Sequence, residues 1–293
     1  MNFFSEPLIM PERPDVFYEV STARMDVVEK PLSAWEKLYD NGAIRKTALL
    51  IILAAAWELY ARWLGNPLLV PTFSATVGAL FASIASGALP QAAVYTISML
   101  LKGYVAGLAI AALLTAFATG TRIGADLLET LTAMFNPLPS IALLPLALVW
   151  FGLGAGSVIF VLIHAVLWAV ALNTFAGFRS VSPTWKMVGQ NYGLSRTGYI
   201  ARILIPGAFP SILTGLKVGW AFAWRTLIAA ELVFGVSSGS GGLGWFIFER
   251  KNQLLIADVF AGLLTVILFG LLVENLIFKT IENRTVRRWG MQT

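Results

Sequence analysis

The stretch PTWKMVGQNYGLSRTGYIARILIP, residues 183–206, decides how the rest of the chain is read. Val188, Tyr192, Tyr199, Ile200 and Ile203 recur at roughly helical spacing among Lys186, Arg196 and Arg202, and Gly193 interrupts them. Residues three and four apart share a helix face, while glycine favours turns and helix ends. The pattern predicts two short helices joined by a tight turn at Gly193. One reading is a solvated basic loop that anchors one membrane side. The other is a docking surface, because an apolar face on a loop needs something to cover it.

Outward from this loop the sequence turns apolar on both sides, over about 157–178 and 208–234. The whole chain of 293 residues is 57% apolar and 13% charged. Soluble domains carry about 25% charged residues. Half that charge cannot cover a water-facing surface, which excludes an ordinary soluble enzyme and a disordered chain. Further apolar runs at about 47–64, 92–118, 126–151 and 257–281 bring the count to six spans. The run 126–151 is interrupted by Asn136-Pro137-Leu138-Pro139, which must kink or break a helix. Pro71–Pro90 mixes Leu80, Phe81 and Ile84 with Ser, Thr and Gly, and predicts an amphipathic helix lying on one membrane surface. Ser237–Gly244, rich in glycine and serine, predicts a flexible loop.

Residues 1–46 are polar, with six Lys/Arg and eight Asp/Glu and a short amphipathic helix expected at Ser33–Tyr39. No apolar run starts early enough for a signal peptide. Six spans place both termini on one side. With that side cytoplasmic, 15 of the 21 Lys/Arg face the cytoplasm, including the basic tail 282–293, and 3 face out. This bias is the positive-inside rule. It accounts for the net charge of +5 without invoking nucleic acid.

There is no cysteine and one histidine, His164, so thiolate chemistry and a His-rich metal site are excluded. A membrane enzyme would have to work with carboxylates such as Asp126 and Glu129, one turn apart, which read instead as charges at a helix start. The phosphate loop G-x4-G-K-[ST] occurs nowhere, so this chain does not bind ATP by that route. Charges within spans are costly and mark candidate sites: Glu58, Lys102, Lys217, Arg225, Glu231 and Glu274. Lys217 and Arg225 lie about 80° apart around a helix and share one broad face. Arg225 either lines a pathway and attracts an anion or pairs with an acid such as Glu129 or Glu58. His164 hydrogen-bonds a neighbouring helix or lines the pathway. Asn136 caps the broken backbone or contacts substrate. Trp220 and Trp224, four apart, serve as core, interface belt or pathway wall. Gly103-x3-Gly107 and Gly152-x3-Gly156 permit close helix contact.

Met187-Val188-Gly189-x3-Gly193-x9-Ile203-x-Ile205-Pro206 resembles the EAA-x3-G-x9-I-x-L-P signature of binding-protein-dependent ABC importer permeases. Met187-Val188-Gly189 departs from Glu-Ala-Ala, and Ile205 replaces Leu. Pro139–Gly154, Ala230-Glu231-Leu232 and Ser238–Trp245 are similar to the nitrate, sulfonate, taurine and bicarbonate permease group. The resemblance implies an all-α type I permease fold with a periplasmic surface helix and a cytoplasmic coupling helix near Pro183–Thr197. It implies a second permease copy, two cytoplasmic ATPase subunits that hold ATP and Mg2+, and a periplasmic binding protein at a bacterial inner membrane. Met187, Val188, Gly189, Tyr192, Gly193, Leu194, Arg196 and Pro206 would couple to the ATPase. Arg225, Trp220, Trp224, His164, Asn136 and Glu231 are the pathway candidates for a small anion. An ion-gradient-driven secondary transporter is the alternative, disfavoured by the lack of an internal repeat.

Overall fold

Proline and glycine set the element boundaries. The computed structural model describes residues 39–234 and 241–290, and every regular element among them is helical. The chain forms two compact units, residues 1–51 and 52–293. In the first, Arg45 lies over the Tyr39 ring at 5.6 Å. The expected helix at Ser33–Tyr39 and residues 235–240 of the expected loop lie outside the described residues, except for Tyr39.

Helix α1 spans Gly42–Leu64, five residues earlier than the first apolar run, and α2 is Phe73–Ala85. The Thr72 side chain caps α2 by accepting from the Ala75 amide. α3 runs Ala88–Gly120, and α4 runs Arg122–Phe135. After the break come a 3-10 turn at Ser140–Leu143 and α5 at Leu144–Phe151. α6 spans Ala155–Ser180, α7 Pro183–Asn191 and α8 Arg196–Tyr199. A π turn at Ile200–Leu204 leads without interruption into α9, Ile205–Phe234. α10 is Leu243–Asn252 and α11 Ile256–Leu272. A second π turn, Val273–Phe278, runs into α12, Lys279–Arg284.

Among the described residues five helical stretches are long and apolar enough to cross a membrane, and one pair bent by 88°, Arg122–Phe135 with Ser140–Phe151, makes a sixth candidate span. The helix directions show that this bent pair is a crossing. A Cβ on Gly103 would fall 2.5 Å from Leu162 Cβ, and one on Gly107 would fall 2.8 Å from Val166 Cβ. Residue numbers rise together along the contact, so α3 and α6 run parallel. Parallel helices joined through α4 and α5 require the chain to return across the membrane between them. The same close approaches are possible because glycine has no side chain, the usual device for helix packing in lipid. Gly152-x3-Gly156 does something else: Gly152, at φ 71°, ends α5.

Gly215 and Gly219 face Asn173, Val170 and Val166, and Gly177 faces Ser211. Here the numbers run oppositely, so α9 lies antiparallel to α6. Leu100, Leu162, Val166 and Leu227 form the buried centre of this three-helix contact. Most of α1, including Leu49–Leu53, exposes apolar side chains, as suits a lipid-facing helix.

Three expectations are corrected. Gly241–Gly244 is not a loose loop: Gly242, Leu243 and Gly244 are buried and begin α10. The helix that holds the 208–234 run does not begin at 208, because the π turn carries it through Pro206. The helix does not stop at 281, where the basic tail was expected to begin. α12 reaches Arg284, Val286 is buried beside Leu213 and Phe278, and Trp289 meets the Phe209 ring at 5.6 Å.

Candidate functional site

The 183–206 segment folds as its glycine and capping residues dictate. Ser182 caps α7, and Pro183 occupies its first turn, where a missing N–H costs nothing. At the other end Gly193 takes φ 65°. The Leu194 amide donates to Gly189 O at 3.0 Å, and the Gly193 amide donates to Gln190 O at 2.9 Å. This pair of bonds is the Schellman termination, and its left-handed residue is glycine because a Cβ would be strained there. Gly189 is buried, and a Cβ on it would sit 3.0 Å from Ile203 and 3.1 Å from Tyr199. The missing side chain lets α7 lie directly on the π turn. Ser195 then caps α8 through the Gly198 amide.

Trp185, Met187 and Tyr192 point outward from this element, at 57%, 55% and 81% exposure. Val188 and Leu194 are half-buried. Arg196 Nη2 donates to Gly120 O at 3.2 Å, tying the element to the last turn of α3, where a cation suits the exposed carbonyls. Arg196 and Tyr199 also edge an apolar recess of about 850 Å³ between α3, α6 and α9.

A second cavity, of about 320 Å³, lies at the broken crossing. Asn136, Ser140, His164, Trp168, Phe222 and Arg225 are among the residues that line it. Three of the pathway candidates, Asn136, His164 and Arg225, therefore meet around one space. His164 Nδ1 is 3.1 Å from Ser140 Oγ. Asn136 ends α4 through its own amide, which donates to Thr132 O. Arg225 Nε donates to Ala221 O at 3.0 Å, and its guanidinium lies over Phe222 at 5.2 Å. Neither terminal nitrogen of Arg225 has a hydrogen-bond partner among the described residues. The acids offered as its partners are engaged elsewhere. Glu58 pairs with Arg62 at 2.7 Å and accepts from the Ser74 amide at the start of α2. Glu129 pairs with Arg179 at 2.5 Å.

The other pathway candidates lie away from this cavity. Trp220 meets Tyr104 edge-on at 5.4 Å, and Trp224 is buried near Phe269. Glu231 is buried. It accepts from Thr96 Oγ1 at 2.9 Å and from the Gly244 amide at 2.9 Å. The Leu243 amide in turn donates to Thr96 Oγ1 at 2.8 Å. This clasp fixes the start of α10 to α3 and α9. Lys217 meets other neighbours than Arg225: it pairs with Glu282 at 2.6 Å and approaches Glu274 at 3.8 Å. Lys102 lies on the exposed side of α3. Sequence reasoning missed Ser140, beside the break, and gave Trp168, one turn from His164, only a core or interface-belt role.

Residues 103–288 match the family model described as binding-protein-dependent transport system inner membrane component. The chain belongs to this family of ABC transporter permeases. Among similar proteins, a putative ABC transporter permease of Methanocaldococcus jannaschii is 28% identical over 82% of this chain and 90% of its own length. The putative aliphatic sulfonates transport permease of Escherichia coli is 30% identical over 81% of this chain and 89% of its own. The taurine transport system permease of the same organism is 35% identical, over 50% of this chain and 52% of its own. The matched part of this permease includes the 183–206 segment, the bent crossing, the cavity and the start of α10.

Proposed function

We propose that this permease is the transmembrane subunit of an ATP-driven importer that moves a small anion into the cytoplasm by alternating access. The substrate falls among sulfonates, taurine, nitrate, bicarbonate and organic carboxylates. The observation that carries the reading is the α7–Gly193–α8 element. Its exposed Trp185, Met187 and Tyr192 offer a face for a soluble partner, and its π turn continues into the membrane helix α9.

Two permease copies work with two cytoplasmic ATPase subunits. The ATPases hold ATP and Mg2+, and this chain holds neither. A periplasmic binding protein delivers the substrate to the outer face at the inner membrane of a bacterium. The Lys/Arg bias supports a cytoplasmic side for both termini, for the Arg196 side of the bundle and for the coupling element. α2 and the start of α10 then lie outside. Closure of the ATPases pushes α7, and the rigid path through α8 and the π turn passes that shift to α9. Arg225, His164 and Asn136 form the anion-facing part of the pathway, since an unpaired guanidinium within a span calls for a counter-anion.

The test is affinity purification in mild detergent of the native chain, Tyr192→Ala and Gly193→Val, with mass spectrometry of what copurifies. A β-branched residue is strongly disfavoured at positive φ. The native chain is expected to bring down a soluble ATPase, with at least tenfold less on Gly193→Val and a smaller loss on Tyr192→Ala. A native chain that purifies without any ATPase would overturn the reading.

A further inference from the structure

We infer that the cavity at the broken crossing binds organic anions, with a carboxylate or sulfonate head on an apolar or aromatic body, in preference to inorganic oxyanions such as nitrate. The inference rests on the anion-importer reading and narrows its substrate class. The head group is set by Arg225, whose free terminal nitrogens form a planar fork suited to a carboxylate or sulfonate. It is the one cation on the wall of this cavity, and no acid stands within pairing distance of it among the described residues.

Two further polar atoms beside the cavity lack a partner. His164 Nε2 and Trp168 Nε1 are buried and have no hydrogen-bond partner among the described residues. Buried polar atoms are nearly always satisfied, so orphans beside a cavity point to a missing ligand or water. Ser140 Oγ and His164 Nδ1 share a hydrogen bond whose direction follows the imidazole tautomer, so Nε2 carries the proton only when Ser140 donates. The indole N–H is a donor only. The guanidinium offers N–H groups at the cavity wall, and the indole N–H lies unpartnered behind it.

The body of the ligand follows from the rest of the wall. Phe222 lies beneath the guanidinium, and Trp168 stacks on Phe135 at 5.5 Å. A space of about 320 Å³ falls at the small end of the ~300–1,000 Å³ typical of organic ligand sites. Nitrate has four heavy atoms and would leave most of this apolar-walled space to water. An aromatic or alkyl body fills it and removes apolar wall from water, which is the favourable direction. The broken backbone supports the same reading, since irregular chain at membrane depth survives where it lines a cavity.

The experiment uses the intact permease–ATPase complex in nanodiscs, without binding protein, so that affinity reports the membrane site. Binding of radiolabelled benzenesulfonate is measured by equilibrium dialysis, with competition by methanesulfonate and by nitrate. Saturable benzenesulfonate binding is expected, with methanesulfonate weaker and nitrate at least tenfold weaker still. Arg225→Gln should weaken benzenesulfonate at least tenfold, with partial recovery in Arg225→Lys. Ala229→Leu, which narrows the cavity, should weaken benzenesulfonate more than methanesulfonate. Intact assembly with the ATPase on size exclusion shows that each variant has folded. Nitrate competing as well as methanesulfonate, or Arg225→Gln binding as the native complex does, overturns the inference. A complex that imports an anion with ATP yet binds no benzenesulfonate removes this inference and leaves the importer reading standing. The absence of any ATPase partner removes the importer reading itself.

Discussion

Asn136–Pro139 and Pro206–Pro210 each set two prolines into an apolar helical run, with opposite outcomes. The first pair bends the crossing by 88°. The second lies in a helix that is continuous from Arg196 to Val233. Each proline removes one backbone donor and crowds the carbonyl four residues back. At Pro206 that carbonyl belongs to Arg202, inside the π turn, where the Ile205 amide reaches back to Ile200 O and the helix is already widened. Glycines also seat α9 along α6 at Gly215, Gly219 and Gly177. At Pro137 and Pro139 neither device is present, and the chain opens into a cavity. Local sequence supplies the stress, and packing decides whether it becomes a hinge or a rod.

The largest effect is expected from loosening the rod at its Glu231 end. Glu231→Leu leaves the buried Gly244 amide and Thr96 hydroxyl without their acceptor, at about 1–3 kcal/mol each. Its thermal midpoint in detergent should fall by several degrees, and protease should cut near residue 242. A midpoint equal to the native one would mean that α10 is held by something other than this clasp. Restoring donors at the hinge comes next. The double change Pro137→Ala and Pro139→Ala should cut uptake in proteoliposomes at least tenfold while the ATPase stays bound. Unchanged uptake would make the bend incidental. Lys217→Met removes the half-buried bond to Glu282 and should cost about 1–2 kcal/mol of stability, less at high salt. Smallest of all, Pro210→Ala should leave uptake intact and shift stability by no more than about 1 kcal/mol, since the helix already passes through that position. Lost transport in this variant would show that the rod bends there after all.

Much of this fold was legible because its signals are local. Six apolar runs, the break at Asn136–Pro139 and the turn at Gly193 follow from hydropathy, missing donors and left-handed backbone. α10 was hidden because its apolar turn follows a glycine-rich stretch and ends in Glu249, Arg250 and Lys251, a composition that reads as loop. The packing of Val286 and Trp289 was hidden by the basic residues around them. In the site, periodicity relates residues on one helix and is silent across helices. It therefore grouped Lys217 with Arg225, which face different neighbours, and did not foresee that Asn136, His164 and Arg225 meet from three elements. Choosing Glu58 or Glu129 as the partner of Arg225 needed the positions of Arg62 and Arg179.

The unbroken run from Arg196 to Val233 has a consequence in simple lever geometry. Its 38 residues make a rod of about 57 Å at ~1.5 Å per residue. Pivoted at its middle, such a rod tilted by roughly 5° moves each tip by about 2.5 Å, and the two tips travel in opposite senses. A push received at Arg196 on one face thus arrives beside Glu231 on the other with its sign reversed. In the importer proposed above, a see-saw of this kind ties the opening of one face to the closing of the other.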